Sequence, residues 1–111
     1  IVWWGGEFGR TPKVQWEAPW NGGRNHFGNC FSAVLAGGGF TGGHLVGQSD
    51  KTGSEVAERP VHPHDLLGSI CERMGIDPEG KLPNPMGQDL KVMPEDVPGF
   101  TSESKRLKEI M

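Results

Sequence analysis

The chain has 111 residues, the size of one domain, but only 34% of its side chains belong to the AVILMFWYC set and 18 residues are glycine. Much of the usual apolar share is therefore backbone rather than core filling. Net charge is −3 with no basic stripe, which argues against nucleic acid as a partner, and no apolar run is long enough to span a bilayer.

Charge and glycine are unevenly placed. Residues 1–50 hold twelve glycines with three basic and three acidic side chains, whereas residues 51–111 hold eight basic and eleven acidic ones. The first half therefore needs tight turns and close backbone approach.

In chain order, "IVWW" at 1–4 is a short apolar run closed by Gly5-Gly6, the pattern of a buried strand. A chain that opens on Ile1 inside such a run predicts a piece of a longer polypeptide. Residues 9–29, rich in Gly, Pro, Asn and Trp, predict a long loop, and Trp16, Trp20 and Phe27 argue that it is ordered. "CFSAVLA" at 30–36 is a second apolar strand, followed by "GGGFTGG" and by "HLVG" at 44–47 as the return arm of a glycine-rich hairpin. Residues 48–60 read as polar connection.

The clearest element is a helix over 63–74. Pro63 suits the first helical position, where its missing N–H costs nothing, and Asp65 suits the positive end of the helix. Leu66, Leu67, Ile70 and Met74 form one apolar face at helical spacing. Gly75 fits the residue just past the end, with Ile76 folding back on the last turn. Residues 79–100 are proline-rich coil with one short strand near Leu90 to Val92. Ser102 caps a last helix over 103–111, with Leu107 and Ile110 on one side.

Several motifs bear on chemistry. "GGGFTG" at 37–42 satisfies the dinucleotide pattern G-x-G-x-x-G, but Gly43-His44-Leu45-Val46-Gly47 cannot open the helix that pattern requires. It reads as a glycine turn. "HPHD" at 62–65 opens a helix, whose positive end repels cations, so His62 is placed near the cap and His64 exposed in the first turn. Isolated His44 has no assigned role. Cys30 and Cys71 lack metal-type spacing and read as buried free thiols or as one disulfide.

Two stretches are more informative. In "EFGRTP", Glu7 lies just beyond the first strand, where α/β sheets place functional groups. Arg10 is close enough to pair with it or to meet an anion. In "GGRNHFGNC", His26 offers an imidazole ligand or a hydrogen-bonded loop histidine. Its neighbour Asn25 brings no charge to offset a cation, but it can orient His26.

Taken together, "WWGGEFGRTPKV", "GRNHFGNCFSAVLAGGGFTGGHLVGQSDKTG" and "RPVHPHDLLGSICERMGIDP" resemble the C-terminal part of the exported bacterial proteins called domain of unknown function 1501. That resemblance implies membership of the sulfatase-like, alkaline phosphatase superfamily. The expected fold is α/β, the C-terminal portion of a doubly wound α/β/α alkaline-phosphatase-like fold with a glycine-rich hairpin and one clear amphipathic helix. Residues 1–111 would form a single partial domain, with 1–80 its family-like core and 81–111 a C-terminal coil and short helix. The helix would pack on the sheet and have no chemical role.

By the same resemblance, Glu7 and His26 are ligands of a divalent metal (Zn, Ca or Mg), with Asn25 supporting His26 and Arg10 and Arg24 as anion contacts. The nucleophile would lie upstream of Ile1, on the remainder of a larger periplasmic or secreted protein. The implied reaction is hydrolysis of a phosphate or sulfate ester, which this chain alone would not perform. Two departures from the family pattern predict a weak or incomplete site: Arg24-Asn25-His26-Phe27 replaces Arg-Asp-His-Trp, and Phe8 stands where superfamily enzymes place a metal-binding histidine. They motivate the alternative of a catalytically inactive structural or binding component of an assembly, anchored through Trp16 and Trp20.

Overall fold

A computed structural model describes residues 1–93 and 106–111. Mixed short strands and one helix make the chain broadly α/β. The strands are β1 (Val2–Gly5), β2 (Gly9–Arg10), β3 (His26–Phe27), β4 (Ala33–Ala36), β5 (Gln48–Ser49) and β6 (Val56–Glu58), followed by helix α1 (Pro63–Arg73). They form three separate two-stranded antiparallel ribbons, β1 with β4, β2 with β3 and β5 with β6. Among the described residues no helix is long and apolar enough to cross a membrane.

The chain falls into two compact units. One comprises Val2–Ala36 with Leu45–Pro60; the other comprises Ile1, Gly37–His44 and Val61–Met111.

In the first unit the expected strands at 1–4 and 30–36 form and pair, with Val2 opposite Ala36 and Gly5 opposite Ala33. The expected burial of the first strand does not follow, because a two-stranded ribbon offers no layer to cover either face. Trp4 is 74% exposed, and Val2, Trp3 and Val34 are exposed with it. The return arm expected at 44–47 is also corrected. The partner of β4 is β1, residues 44–47 form no strand, and Leu45 projects into solvent.

The strand appears instead in the expected polar connection. Gln48–Ser49 pairs with Val56–Glu58 through a bulge between Gln48 and Ser49. The Asp50 carboxylate closes the intervening loop, accepting from the Thr52 hydroxyl at 2.7 Å and the Ser54 N–H at 2.7 Å. No residue among 2–36 and 45–60 is buried, so this unit is organised by backbone pairing rather than by a core of its own.

The second unit is built on α1. Its start is as expected: Pro63 is the first helical residue, and the Asp65 carboxylate accepts from the His62 N–H at 2.9 Å. Its end is also as expected. Gly75 has φ +75°, which a Cβ would strain, and its N–H donates to the Glu72 carbonyl at 3.1 Å. The Ile76 N–H donates to the Cys71 carbonyl at 2.9 Å, completing the six-residue closure of a glycine-terminated helix.

The expected apolar face of α1 is corrected. Leu66 and Ile70 are half-buried, while Leu67 and Met74 are exposed; the buried residues are Asp65, Gly68 and Ser69. Ser69, with no exposed surface, donates its hydroxyl to the Asp65 carbonyl at 2.6 Å and accepts from the Leu107 N–H at 2.9 Å. Arg106 lies against Gly68 and pairs with Glu79 at 2.7 Å and Glu72 at 3.6 Å. A polar clasp therefore selects the face that is covered, and it brings in Leu107 and Ile110, which with Pro78 are the buried apolar residues of this unit among those described.

His64 is half-buried rather than exposed, and its Nε2 is buried without a hydrogen-bond partner among the described residues. Where a helix over 103–111 was expected, the described residues hold one 3-10 turn, Lys108–Ile110, whose Ile110 carbonyl accepts from the Thr41 N–H at 2.8 Å. Ser102 and the start of that expected helix lie outside the described residues. The strand expected near 90–92 is an isolated antiparallel bridge, Lys81 opposite Lys91. Cys30 and Cys71 are both half-buried free thiols.

Candidate functional site

The expected ordered loop at 9–29 folds as a hairpin, and that fold gathers the polar side chains. Gly9 pairs with Phe27 and Arg10 with His26. The ladder continues with the Thr11 N–H donating to the Asn25 carbonyl at 2.9 Å and the Gln15 N–H to the Gly23 carbonyl at 2.8 Å. The Asn25 N–H in turn donates to the Thr11 hydroxyl at 3.0 Å. Asn21 (φ +43°) and Gly22 (φ +109°) turn the tip, where the chain needs residues that tolerate positive φ. At the base only glycine fits position 9, because a Cβ there would stand 2.9 Å from the Phe27 carbonyl oxygen and would also meet the Cys30 carbonyl.

The hairpin leaves a depression of about 500 Å³, open to solvent and lined by Arg10, Trp20, Gly23, Arg24, Asn25 and His26. Four of the residues singled out from sequence thus meet at one place. Glu7, exposed two residues beyond the end of β1, is not among the lining residues. The Glu7–Arg10 ion pair that sequence left open does not form. Arg10 instead donates to the Arg24 carbonyl at 3.3 Å and lies 5.5 Å from the Phe8 ring centroid. Phe8 also packs on the imidazole of His26, centroids 3.9 Å apart and planes tilted by 34°. One ring therefore supports both a guanidinium and an imidazole at the rim of the depression.

The side-chain chemistry of the depression favours a negative charge over a positive one. Among the described residues neither Arg10 nor Arg24 is paired with a carboxylate, and the side-chain amide of Asn25 has no hydrogen-bond partner. Two uncompensated guanidiniums, an amide and an imidazole present donors to the same space. A divalent cation is a poor fit to this depression. His26 is its only His, Cys, Asp or Glu, and both flanking charges are positive. Among the described residues, no three His, Cys, Asp or Glu side chains group as a metal site.

Trp20 was not assigned to the site from sequence, where it stood only as a partner anchor. The signal that would have placed it there is the turn chemistry of Asn21-Gly22, which marks a tight turn directly after Trp20.

No curated protein and no solved structure matches the chain. Residues 1–98 match the family described as protein of unknown function (DUF1501), and by that match over most of its length the chain belongs to this family.

Proposed function

We propose that the chain is part of a larger, exported protein of the sulfatase-like, alkaline phosphatase superfamily that hydrolyses a phosphate or sulfate ester. Its own contribution would be to hold the ester oxyanion. The observation that carries this reading is the pair Arg10 and Arg24, free of carboxylate partners and lining one depression with Asn25 and His26. Guanidinium groups bind tetrahedral oxyanions through charge-assisted hydrogen bonds and remain charged at any working pH. Once an ester is held, the same donors position it and stabilise the charge spread over its non-bridging oxygens in the transition state. Glu7 and His26 as ligands of a zinc, calcium or magnesium ion rest on the family resemblance alone: the depression's own lining does not suit a cation and lacks Glu7, so any metal would need ligands from elsewhere in the protein.

The larger protein, assayed with p-nitrophenyl sulfate and p-nitrophenyl phosphate, is expected to release p-nitrophenol from one of them. Arg24→Gln should lower kcat/KM at least about tenfold, the worth of a charge-assisted hydrogen bond. No hydrolysis of either ester, or an unaffected kcat/KM, would contradict the reading.

A second reading, a catalytically inactive binding or structural component, is favoured by a separate observation. Val2, Trp3, Trp4, Trp16 and Val34 are exposed on a unit with no buried residue, and exposed apolar surface of that kind marks interaction sites. Metal analysis of the larger protein separates the two. Stoichiometric metal lost on His26→Ala supports the hydrolase, and metal-free, folded protein without esterase activity supports the scaffold.

A further inference from the structure

We propose that the tip of the 9–27 hairpin docks on an anionic lipid surface, with Trp16 and Trp20 entering the headgroup layer and Arg10, Lys13 and Arg24 drawn to the lipid phosphates. The inference goes beyond the function proposed above and does not depend on it. The cations act here by their charge, and the two residues that test the idea, Lys13 and Trp16, lie outside the depression.

The tip holds two indoles in solvent. Gln15 bridges Gly23, and the Gly22 N–H donates to the Gln15 carbonyl at 2.8 Å. Inside that closure the Trp20 N–H donates to the Glu17 carbonyl at 2.9 Å, so Trp16 and Trp20 flank one turn. The Trp16 ring lies over Gly22, where a Cβ would stand 3.1 Å from it. Even so, Trp16 is 74% exposed and Trp20 59%. An indole, with its apolar body and single N–H, suits the layer between lipid headgroups and acyl chains.

Charge selects the kind of lipid. Residues 9–27 carry three cations, Arg10, Lys13 and Arg24, against one carboxylate, Glu17, in a chain whose net charge is −3. All three cations are exposed, and among the described residues none pairs with a carboxylate. Attraction to a charged bilayer fades within about 8–10 Å at physiological salt, so the charges nearest the lipid decide it. Apolar side chains beside cations combine the two forces that hold a protein on such a surface. The β1–β4 ribbon exposes Trp3 and Trp4 but contains no charged residue, so it lacks the second force. A protein partner fits the tip less well. A stable protein interface takes about 20–30 residues from each side, whereas Gln15 to Gly23 is nine residues.

The test is cosedimentation of the 111-residue chain and of the larger protein with vesicles. One set is phosphatidylcholine alone, and the other is phosphatidylcholine and phosphatidylglycerol in equal parts. Soluble polyglutamate serves as the protein-like polyanion. Both forms are expected to bind the mixed vesicles at least about tenfold more tightly than the neutral ones, a preference that added sodium chloride erases. Trp16→Ala should weaken binding to mixed vesicles about tenfold, and Lys13→Gln about fivefold. Phosphate binding in the depression should be unchanged in both variants, and Trp4→Ala should leave vesicle binding as it is.

Failure of either form to bind the mixed vesicles, or equal affinity for both vesicle types, would overturn the inference. So would a loss in Trp4→Ala as large as that in Trp16→Ala. Polyglutamate bound as tightly as the mixed vesicles would assign the tip to an acidic protein instead. None of these results touches the oxyanion reading, whose own failure would leave vesicle binding in place. The wild-type comparison decides the matter even if a variant fails to fold.

Discussion

Phe8 offers one ring to two neighbours, and what it supports explains why a polar cluster persists on an exposed hairpin. Its face meets the His26 imidazole and lies near the Arg10 guanidinium, so neither side chain is left to rotate freely in solvent. The opposite case is Ser69, a single hydroxyl with no exposed surface that both donates and accepts. Ser69→Ala would leave the Leu107 N–H buried and unpaired, and is expected to cost about 1–3 kcal/mol in urea unfolding. A change below about 0.5 kcal/mol would mean that the clasp between α1 and residues 106–110 adds nothing. Sequence showed Arg10, Arg24, Asn25 and His26 because their residue types are chemically unusual among glycines. It did not show Ser69, since its partner Leu107 is 38 residues away and serine has no pattern of its own.

Helix α1 was legible at both ends because its caps are local: Pro63 and Asp65 at the start, Gly75 and Ile76 at the finish. The face it buries was not legible, because the apolar stripe points to Leu67 and Met74 while the clasp covers the other side. The hairpin of β5 and β6 was missed for a related reason. Its loop is held by the Asp50 carboxylate rather than by an apolar pattern.

The Thr52 hydroxyl first, then the Ser54 N–H, hold that carboxyl below the usual Asp range. A depressed carboxyl stabilises the loop above the ordinary Asp titration range, and the contribution is lost as pH falls through the lowered value. The exchange protection of the Ser54 and Glu55 amides is accordingly expected to hold at neutral pH and to fade in strong acid. Protection indifferent to acid would show that Asp50 does not organise the turn.

For the chain taken unit by unit, Val2–Ala36 with Leu45–Pro60 has pairing without a core, and the unit containing α1 has a small core closed by a polar clasp. The positions of β1 and β4 were readable from runs of apolar residues, but their pairing was not, and the other strands follow no such run. β4 could as well have paired with the chain beyond the glycines as with β1. The tryptophans of β1 and of the hairpin tip are exposed within this chain.

Central to the account is that the 9–27 hairpin forms an oxyanion site from its own residues. Calorimetric titration of sulfate and phosphate into the metal-free chain at low ionic strength tests it directly. The account requires one saturable site per chain for at least one of the two ions, weakened by added chloride and about tenfold weaker in Arg24→Gln. It is contradicted if neither ion saturates, or if the affinity is the same with and without the Arg24 guanidinium.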